Sequence, residues 1–319
     1  MDLTHENILV TGGHGFLGHH VLRRLMDRGC KHVTAPWRRD CDLVSGEATR
    51  ALLRRLKPTV VIHLAARVGG IGANRAQPAC FFYDNAMMGL QLLHESYQCG
   101  VKKFVAVGTI CAYPSETHVP FVETDLWNGY PEPTNAPYGI AKKILSVQAA
   151  AYRQQYGFNA VVVYPTNLYG PGDNFDLHTS HVIPALIRKF DEARERGDAQ
   201  VELWGDGTPT REFLYVRDCA DGLVHAVEHY DSPDPMNLGS GMEVSIRWLS
   251  DQIRQLVGFT GSVTWNPRQP NGQQRRCVDT RFAERMLDFR ATTPFSEGLA
   301  TTVRWWRQEV VRAKQEALD

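Results

Sequence analysis

The sequence predicts an α/β protein, built on a doubly wound parallel sheet with a smaller C-terminal α/β domain. In the first half of the 319-residue chain, short apolar runs rich in β-branched residues alternate with segments of helical periodicity, a pattern typical of βαβ units. The runs are apolar throughout, as in VVIHLAA and KFVAVG, which indicates strands covered by helices on both faces. A glycine-rich turn, TGGHGFLG, joins the first run to the first helical segment.

These patterns predict the elements in chain order. Strands are predicted at residues 7–11, 32–35, 59–64, 103–108 and 159–164, and helices at 15–29, 46–57, 77–98 and 135–156. After Pro165, the stretch NLYGPGDNFDLHTSHVIP interleaves turn residues with apolar ones, which is typical of a functional loop. Beyond it we expect a helix at 182–196, strands at 201–204 and 211–216, a helix ending near 230, and helices near 245–257 and 296–311.

The composition excludes several classes of function. Lys plus Arg and Asp plus Glu number 35 each, so the net charge is zero, and nothing in it favours nucleic acid or an anionic membrane as a partner. The seven cysteines include no CxxC pair, so no metal site or redox dithiol is predicted. The N-terminus lacks a charged leader followed by an apolar segment, and we expect a cytoplasmic protein.

Gly12, Gly15 and Gly18 lie between the first predicted strand and the first predicted helix. Glycines in such a turn let backbone N–H groups approach the pyrophosphate of a dinucleotide at the helix N-terminus. The strand before and the helix after the turn are the context that this motif requires. The sequence therefore predicts a Rossmann-type nucleotide site.

The change of character after residue 166 predicts two domains. Residues 1–166 are expected to form the dinucleotide-binding domain, and residues 211–231 to return to it as a strand of the sheet and a helix. Residues 167–210 and 232–319 are expected to form the substrate-binding domain.

The end of the second predicted strand bears on the identity of the dinucleotide. NAD-binding proteins often have an acidic residue there, which holds the ribose 2′-hydroxyl. Here Arg38 and Arg39 precede any acidic residue after the strand, and their guanidinium groups could bind the 2′-phosphate of NADP. This favours NADP, while NAD stays possible if both arginines are simply solvated. Asp42 and Leu43 are predicted to lie beside the adenine.

Tyr138 and Lys142 are four residues apart in NAPYGIAKK, so they share one face of a helix. Tyrosine has a pKa of about 10, and a cation one helical turn away favours the phenolate. We therefore expect Lys142 to lower the pKa of Tyr138. Beside a nucleotide site, the pair predicts hydride transfer to a carbonyl group, with Tyr138 handling the proton of the oxygen.

Five segments resemble those of a known family: AARVGGIGANRAQPA, EPTNAPYGIAKK, YPTNLYGPGDNF, SHVIPALIRK and WGDGTPTREFLYVRD. In them the chain resembles the extended short-chain dehydrogenases, and among these the GDP-L-fucose synthases, which act on GDP-4-keto-6-deoxy-mannose. The resemblance covers most of residues 64–218 and is looser in the C-terminal third. It implies inversion of C3 and C5 of a 4-keto sugar, followed by reduction of C4 with NADPH.

The resemblance also implies roles for single residues. Inversion needs an acid and a base on opposite faces of the sugar ring, and Cys111 in GTICAYP and His181 in TSHVIP match the family's pair. Thr109 stands where a serine usually donates a hydrogen bond to the substrate carbonyl, which a threonine hydroxyl can also do. The cofactor is further expected to contact Tyr138 and Lys142 and a set of residues around the sheet: Phe16, Leu17, Ala65, Ala66, Pro165, Asn167 and Leu168.

Four positions depart from the family pattern. Ile110 replaces a small polar residue, and Thr109 replaces serine. No acidic residue follows Thr109, and the lack of this acid disfavours a dehydratase. His14 and Pro36 stand where basic residues near the NADP phosphate are usual. They keep open the alternative of a GDP-sugar 3,5-epimerase with tightly bound NAD and no net reduction.

The substrate is expected to be held by cationic and polar side chains. The resemblance assigns the diphosphate to Arg211 in GTPTREF, since guanidinium groups bind phosphate through paired hydrogen bonds. Arg276 is expected to reach the same group, and Asn167 to contact the sugar or diphosphate. Lys189 and Trp204 are expected to border the substrate, with core packing as the alternative for Trp204. GDP itself comes from the resemblance alone.

Two further functions stay open on the sequence: a 4-reductase that has lost epimerisation, and a non-catalytic nucleotide-sensing protein. The presence of both Cys111 and His181 argues against the first, and the retained Tyr138 and Lys142 against the second. A homodimer is expected, because helices at 77–98 and 135–156 pair between subunits in many proteins of this kind.

Overall fold

The structure is a computed structural model that describes residues 1–269 and 271–316. Its strands are β1 (Asn7–Thr11), β2 (His32–Thr34), β3 (Val60–His63), β4 (Lys103–Val107), β5 (Asn159–Pro165), β6 (Asn167–Tyr169), β7 (Gln200–Trp204), β8 (Thr210–Tyr215), β9 (Met236–Leu238), β10 (Glu243–Ser245), β11 (Ser262–Asn266) and β12 (Arg275–Arg276). Its helices are α1 (Phe16–Asp27), α2 (Gly46–Leu56), α3 (Ile71–Ala76), α4 (Pro78–Gln98), α5 (Ala136–Tyr156), α6 (Val182–Arg196), α7 (Val216–His229), α8 (Ile246–Val257), α9 (Arg281–Leu287) and α10 (Phe295–Glu316). The strands and helices predicted in the first half are confirmed to within a few residues.

Six parallel strands form the main sheet, in the order β2-β1-β3-β4-β5-β9. Successive side chains of a strand point to opposite faces, and Ile8 and Val10 pack into one apolar core while Leu9 packs into another. The first core joins the sheet to α1 and α7, and the second joins it to α2, α4 and α5. Helices therefore cover both faces, as the apolar runs predicted.

A smaller sheet is centred on β8, which pairs with β6, β10 and β12. The parallel pair β7 and β11 lies apart from it, and α6, α8 and α10 supply residues to a third apolar core. The register of β8 and β12 sets Arg211 opposite Arg276. Among residues 1–269 and 271–316, no helix is both long enough and apolar enough to cross a bilayer.

The expected return of residues 211–216 to the main sheet was wrong. β9 takes the place beside β5 instead, and of the segment 211–231 only α7 returns, packing with α1 in the first core. The physical reason is that β8 lies between two cores. Leu214 packs into the first, whereas Phe213 and Tyr215 pack into the third. A strand buried on both faces has the same apolar pattern in either sheet.

Candidate active site

The glycines of the turn after β1 lie in direct contact with the backbone of neighbouring segments, which leaves no room for a side chain. Gly12 has a φ of +73°, and a β-carbon there would lie 2.6 Å from the backbone nitrogen of Ala65, just beyond β3. A β-carbon at Gly18 would lie 2.1 Å from the carbonyl oxygen of Gly12. Gly15 precedes α1 and no side chain caps the helix there, so the N–H groups around Phe16 and Leu17 can bind an anion. This cradle fits the pyrophosphate of a dinucleotide.

An aromatic stack lies at the end of β2, the position where this fold binds the adenosine ribose. The rings of His14 and Trp37 are stacked with centroids 3.6 Å apart, and the Arg39 guanidinium lies 5.4 Å from the Trp37 ring. His14 Nε2 is also 2.8 Å from the carbonyl oxygen of Ala35. Arg38 is exposed nearby. Sequence reasoning missed Trp37, although a tryptophan directly after Pro36, itself a departure from the family pattern, was a usable signal.

The two residues predicted beside the adenine differ in burial. Asp42 is exposed, whereas Leu43 is buried and packs into the second apolar core. The remaining cofactor candidates lie at the carboxyl ends of the central strands. Ala65 and Ala66 follow β3, Pro165 ends β5, and Asn167 and Leu168 begin β6.

Thr109, Cys111 and Tyr138 meet beyond the carboxyl end of β4. The backbone N–H of Cys111 donates to Thr109 Oγ1 at 3.2 Å, closing the 3₁₀ turn at Ile110–Ala112. The Thr109 side chain is also close enough to the Tyr138 hydroxyl to favour the ionised form of the phenol. Tyr138 lies in the first turn of α5, which packs against this 3₁₀ turn. One hydroxyl, one thiol and one phenol thus face the same edge of the main sheet.

Burial dominates the ionisation of Tyr138 and Lys142. Tyr138 retains partial solvent access, yet desolvation of its hydroxyl raises its pKa well above the ordinary value; Cys111 adds to the rise and Thr109 opposes it. The expected lowering of the Tyr138 pKa by Lys142 was therefore wrong. Burial lowers the pKa of Lys142, which is 2% exposed, to about 8. Tyr138 keeps its proton at neutral pH, the form that can donate to a carbonyl oxygen.

The loop that ends at His181 is fixed by contacts with the segment after β3. The backbone N–H of Gly70 donates to the carbonyl oxygen of Thr179 at 2.9 Å, and a β-carbon at Gly70 would lie 2.6 Å from the carbonyl oxygen of Ser180. Phe81 lies beside the adjacent Gly69 and packs edge-on to the Tyr138 ring, with centroids 6.4 Å apart. This chain of contacts connects the His181 loop to Tyr138.

His181 is exposed and immediately precedes α6. Although the residue keeps solvent access, the protein around its ring desolvates the imidazole and lowers its pKa. The neutral imidazole is therefore the favoured form at neutral pH, and it can accept a proton and then pass it on.

Two arginines of the smaller sheet face the thiol of Cys111. Arg276 Nη1 donates to Cys111 Sγ at 3.4 Å. Burial, together with the charge of Arg276, lowers the pKa of Arg211 to about 10, and Cys111 acts in the opposite direction. Gly272 borders the region around Arg211. A β-carbon at Gly272 would lie 3.2 Å from Arg211 Nη2 and 3.4 Å from Ile71 Cδ1. A pocket of about 420 Å³ beside it is lined by residues that include Ile71, Glu132 and Gln273.

The other predicted substrate residues lie on three different elements, Asn167 on β6, Lys189 on α6 and Trp204 at the end of β7. Asn167 Nδ2 donates to the carbonyl oxygen of Glu212 at 2.9 Å, so its side chain is fixed by β8. Lys189 Nζ lies 6.0 Å from the ring centroid of Trp204. Trp204 is 53% exposed, which rules out core packing as its role.

Comparison with known proteins places this arrangement in a family. Residues 8–239 match the model of the NAD dependent epimerase/dehydratase family. This chain belongs to that family. A GDP-L-fucose synthase of Sinorhizobium fredii (strain NBRC 101917 / NGR234) is 40% identical over 297 residues, which cover 92% of this chain and 93% of the relative. The resemblance to GDP-L-fucose synthases is thereby confirmed.

Solved structures of similar proteins confirm the Rossmann-type fold of this epimerase/dehydratase family member. A GDP-L-fucose synthetase from Naegleria fowleri bound to NADP has a TM-score of 0.88 and 30% identity, with 96% of this chain and 95% of that chain covered. A GDP-6-OMe-4-keto-L-xylo-heptose reductase from C. jejuni has a TM-score of 0.90 and 27% identity, with 96% and 99% covered. The protein is thus an enzyme of a nicotinamide-dependent family.

Sequence reasoning missed two buried titratable groups of this epimerase/dehydratase. Asp173 is 8% exposed; its Oδ1 accepts the backbone N–H of Asn174 at 2.7 Å, and burial raises its pKa to about 7. His63 is 1% exposed, and its Nδ1 lies 2.8 Å from Thr11 Oγ1. Desolvation and, to a smaller extent, the charge of Lys142 lower the His63 pKa. A polar residue inside the apolar run VVIHLAA was the available signal for His63.

Proposed function

We propose that this protein is an NADP-dependent epimerase-reductase that converts a GDP-4-keto-6-deoxy-hexose to GDP-L-fucose or a close relative. The observation that carries the proposal is the meeting of Thr109, Tyr138 and Cys111 at one end of the main sheet. The first two residues suit reduction of a carbonyl group, and the third suits proton transfer at the carbons next to it. The relatives' names, GDP-L-fucose synthase and GDP-4-keto-heptose reductase, supply the substrate class.

The reduction step needs a proton at the C4 oxygen. The glycine cradle of Gly12 and Gly18 fits a dinucleotide, whose nicotinamide supplies the hydride when it is bound. Tyr138, protonated because burial raises its pKa, would donate the proton, and the Thr109 hydroxyl would hold the same oxygen by a hydrogen bond. Lys142, one helical turn further along α5, is proposed to contact the cofactor beside Tyr138.

The epimerisation step needs two groups that exchange protons with opposite faces of the ring. The 4-keto group makes the hydrogens on C3 and C5 acidic, so that a thiolate or an imidazole is a sufficient base. Cys111 and His181 are proposed for these roles. One takes a proton from the carbon while the C–H electron pair moves to the keto oxygen, and the other returns a proton to the opposite face.

Recognition of the GDP diphosphate is proposed for Arg211, with Arg276 beside it. Asn167, Lys189 and Trp204 are proposed to border the sugar and nucleotide. Lys189 is half-buried and burial lowers its pKa, so an anionic ligand would relieve the cost of burying its charge. NADP is proposed as the cofactor because Arg38 and Arg39 are exposed at the end of β2 and because the Naegleria fowleri relative binds NADP.

We also propose a homodimer, a division into two domains and a cytoplasmic location. Exposed apolar side chains of α4 and α5, among them Tyr83 and Val147, support a homodimer formed through these two helices. The division into residues 1–166 and 167–319 is retained, with α7 as the returning element. All seven cysteines are free, which suits a reducing compartment such as the cytoplasm.

The test is incubation of the protein with GDP-4-keto-6-deoxy-mannose and NADPH. Loss of NADPH absorbance, with a product whose C3, C5 and C4 configurations are those of GDP-L-fucose, is expected. NADH in place of NADPH is expected to react more slowly. Inversion without consumption of NADPH would point instead to a 3,5-epimerase. The absence of both inversion and reduction would refute the proposal.

A further inference from the structure

Arg276 directs its guanidinium group at the sulfur of Cys111. Its Nη1 donates to Sγ at 3.4 Å, and its Nε donates to Gln273 Oε1 at 3.2 Å. Arg276 is 7% exposed, and a guanidinium group stays charged even when buried. Cys111 keeps partial solvent access. A desolvated cation therefore faces the one atom of Cys111 that can gain and lose a proton.

The backbone fixes Arg276 in this position. β12 pairs with β8 in a register that sets Arg276 opposite Arg211. Two residues further on, the N–H of Val278 donates to the buried carboxylate of Glu212 at 2.8 Å. The N–H of Phe121 donates to the carbonyl oxygen of Cys277 at 2.9 Å, which attaches the segment to the chain that follows Cys111. The contact between guanidinium and sulfur is thus set by the fold and not by a mobile surface side chain.

The charge balance around Arg276 favours an anion at the sulfur. Arg211 and Arg276 are close enough for the Arg276 charge to lower the pKa of Arg211, while Cys111, Glu132 and Glu243 act in the opposite direction. Two neighbouring cations with little access to water repel each other strongly. A negative charge on Cys111 Sγ would reduce this repulsion.

We propose that Arg276 is a positioning residue that holds Cys111 in its thiolate form for proton transfer at the sugar ring. The inference rests on the proposed epimerase activity. As the thiolate takes a proton from the carbon next to the keto group, an S–H bond forms and the C–H electron pair moves to the keto oxygen. His181, having taken a proton from water, donates it to the opposite face as the electron pair returns from the keto oxygen to form the new C–H bond. Cys111 then releases its proton to water, and Arg276 favours this release.

Other cysteines of the chain provide internal references. Cys277 follows Arg276 in sequence and so lies on the other face of the strand, where its Sγ donates to Glu243 Oε2 at 3.4 Å and burial raises its pKa to about 12. Cys80 is exposed on α4. Burial and exposure alone therefore predict that Cys80 reacts fastest with an alkylating reagent, whereas the proposal predicts Cys111.

The test is alkylation of the whole protein by iodoacetamide at pH 7 without substrate, with each cysteine followed by peptide mass spectrometry. In the unmodified protein, Cys111 is expected to react faster than Cys80. Arg276→Gln is expected to slow Cys111 by at least about tenfold, the smallest effect typical of an opposite charge at this range. Arg276→Lys, which keeps the charge, should recover most of the rate. Arg275→Gln, a neighbouring exposed arginine paired with Glu243, should change nothing at Cys111.

A second readout separates this role from binding of the diphosphate. Arg276→Gln should suppress entry of solvent deuterium at C3 and C5 even at keto-sugar concentrations that saturate the variant, so that weaker binding of the diphosphate cannot account for the loss. Unchanged Cys111 alkylation in Arg276→Gln, with or without weaker GDP binding, would overturn the proposal. If that variant does not fold, slower alkylation of Cys111 than of Cys80 in the unmodified protein overturns it. Because alkylation needs no substrate, failure of the GDP-4-keto-sugar assay leaves this test intact.

Discussion

Gly139 lies directly against the carbonyl group of Cys111. A β-carbon at Gly139 would be 2.3 Å from the carbonyl oxygen and 2.9 Å from the carbonyl carbon, closer than non-bonded atoms approach. The first turn of α5 therefore touches the 3₁₀ turn after β4. Because Tyr138 adjoins Gly139, this backbone contact contributes to the relative placement of the phenol and the thiol.

Gly139→Ala is expected to lower kcat by more than about tenfold, because a shift of α5 by a few tenths of an ångström misplaces the Tyr138 hydroxyl. Overpacking should lower the free energy of unfolding by about 1–3 kcal/mol. The better helix propensity of alanine offsets up to about 1 kcal/mol of this loss. Gly72→Ala is a matched control, since a β-carbon at this helical glycine would meet nothing nearer than 3.9 Å. Full activity of Gly139→Ala would show that the contact does not position Tyr138.

Tyr138→Phe is expected to slow the reduction of C4 by about 10²–10⁴-fold, the usual loss when a general acid is removed. Binding of NADPH should change little, because the glycine cradle that fits the pyrophosphate is formed by the turn between β1 and α1 and not by the phenol. Exchange of hydrogen at C3 and C5 should continue, since Cys111 and His181 remain. The measurement is NADPH consumption alongside solvent deuterium content of the sugar, and undiminished reduction would contradict the role assigned to Tyr138.

Cys111→Ala and His181→Asn are each expected to suppress deuterium entry at C3 and C5, because inversion needs a proton-transfer group on both faces of the ring. A keto sugar that already has the product configuration at C3 and C5 should still be reduced. Cys80→Ala and His178→Asn, both at exposed positions, serve as controls. Persistent exchange at both carbons in both variants would mean that other residues move these protons.

Local sequence patterns predicted the α/β fold and most of the elements, because hydrophobic periodicity and glycine turns are short-range signals. They did not place β8 in the correct sheet, since a strand buried between two cores has the same apolar pattern in either. Nor did they give the contact of Arg276 with Cys111, which joins residues 165 positions apart through the pairing of β12 with β8. Spacing predicted that Tyr138 and Lys142 are neighbours, but not that burial would dominate the pKa of each.

The last prediction concerns the cost of burying Lys142. Burial lowers its pKa from an ordinary 10.5 to about 8, so the folded protein disfavours the charged lysine relative to the unfolded chain. Each pKa unit corresponds to about 1.4 kcal/mol, and the cost at pH 7 is therefore about 3 kcal/mol. Between pH 8 and 10.5 the unfolded chain holds a proton at this lysine that the folded protein has lost. Raising the pH through this range hence removes the cost and favours the folded state.

Lys142→Met, which keeps the length of the side chain without its charge, is expected to raise the free energy of unfolding at pH 7 by about 3 kcal/mol and to abolish reduction. The gain over the unmodified protein should shrink steadily as the pH rises above 8, because the unmodified protein then loses its penalty. Urea unfolding of both proteins without cofactor, at pH 7 and about pH 9.5, measures the difference. Lys31→Met, at an exposed lysine, should show neither the gain nor its pH dependence. A Lys142→Met protein less stable at pH 7 than the unmodified one would mean that the ammonium group has stabilising partners in the folded state that outweigh its desolvation.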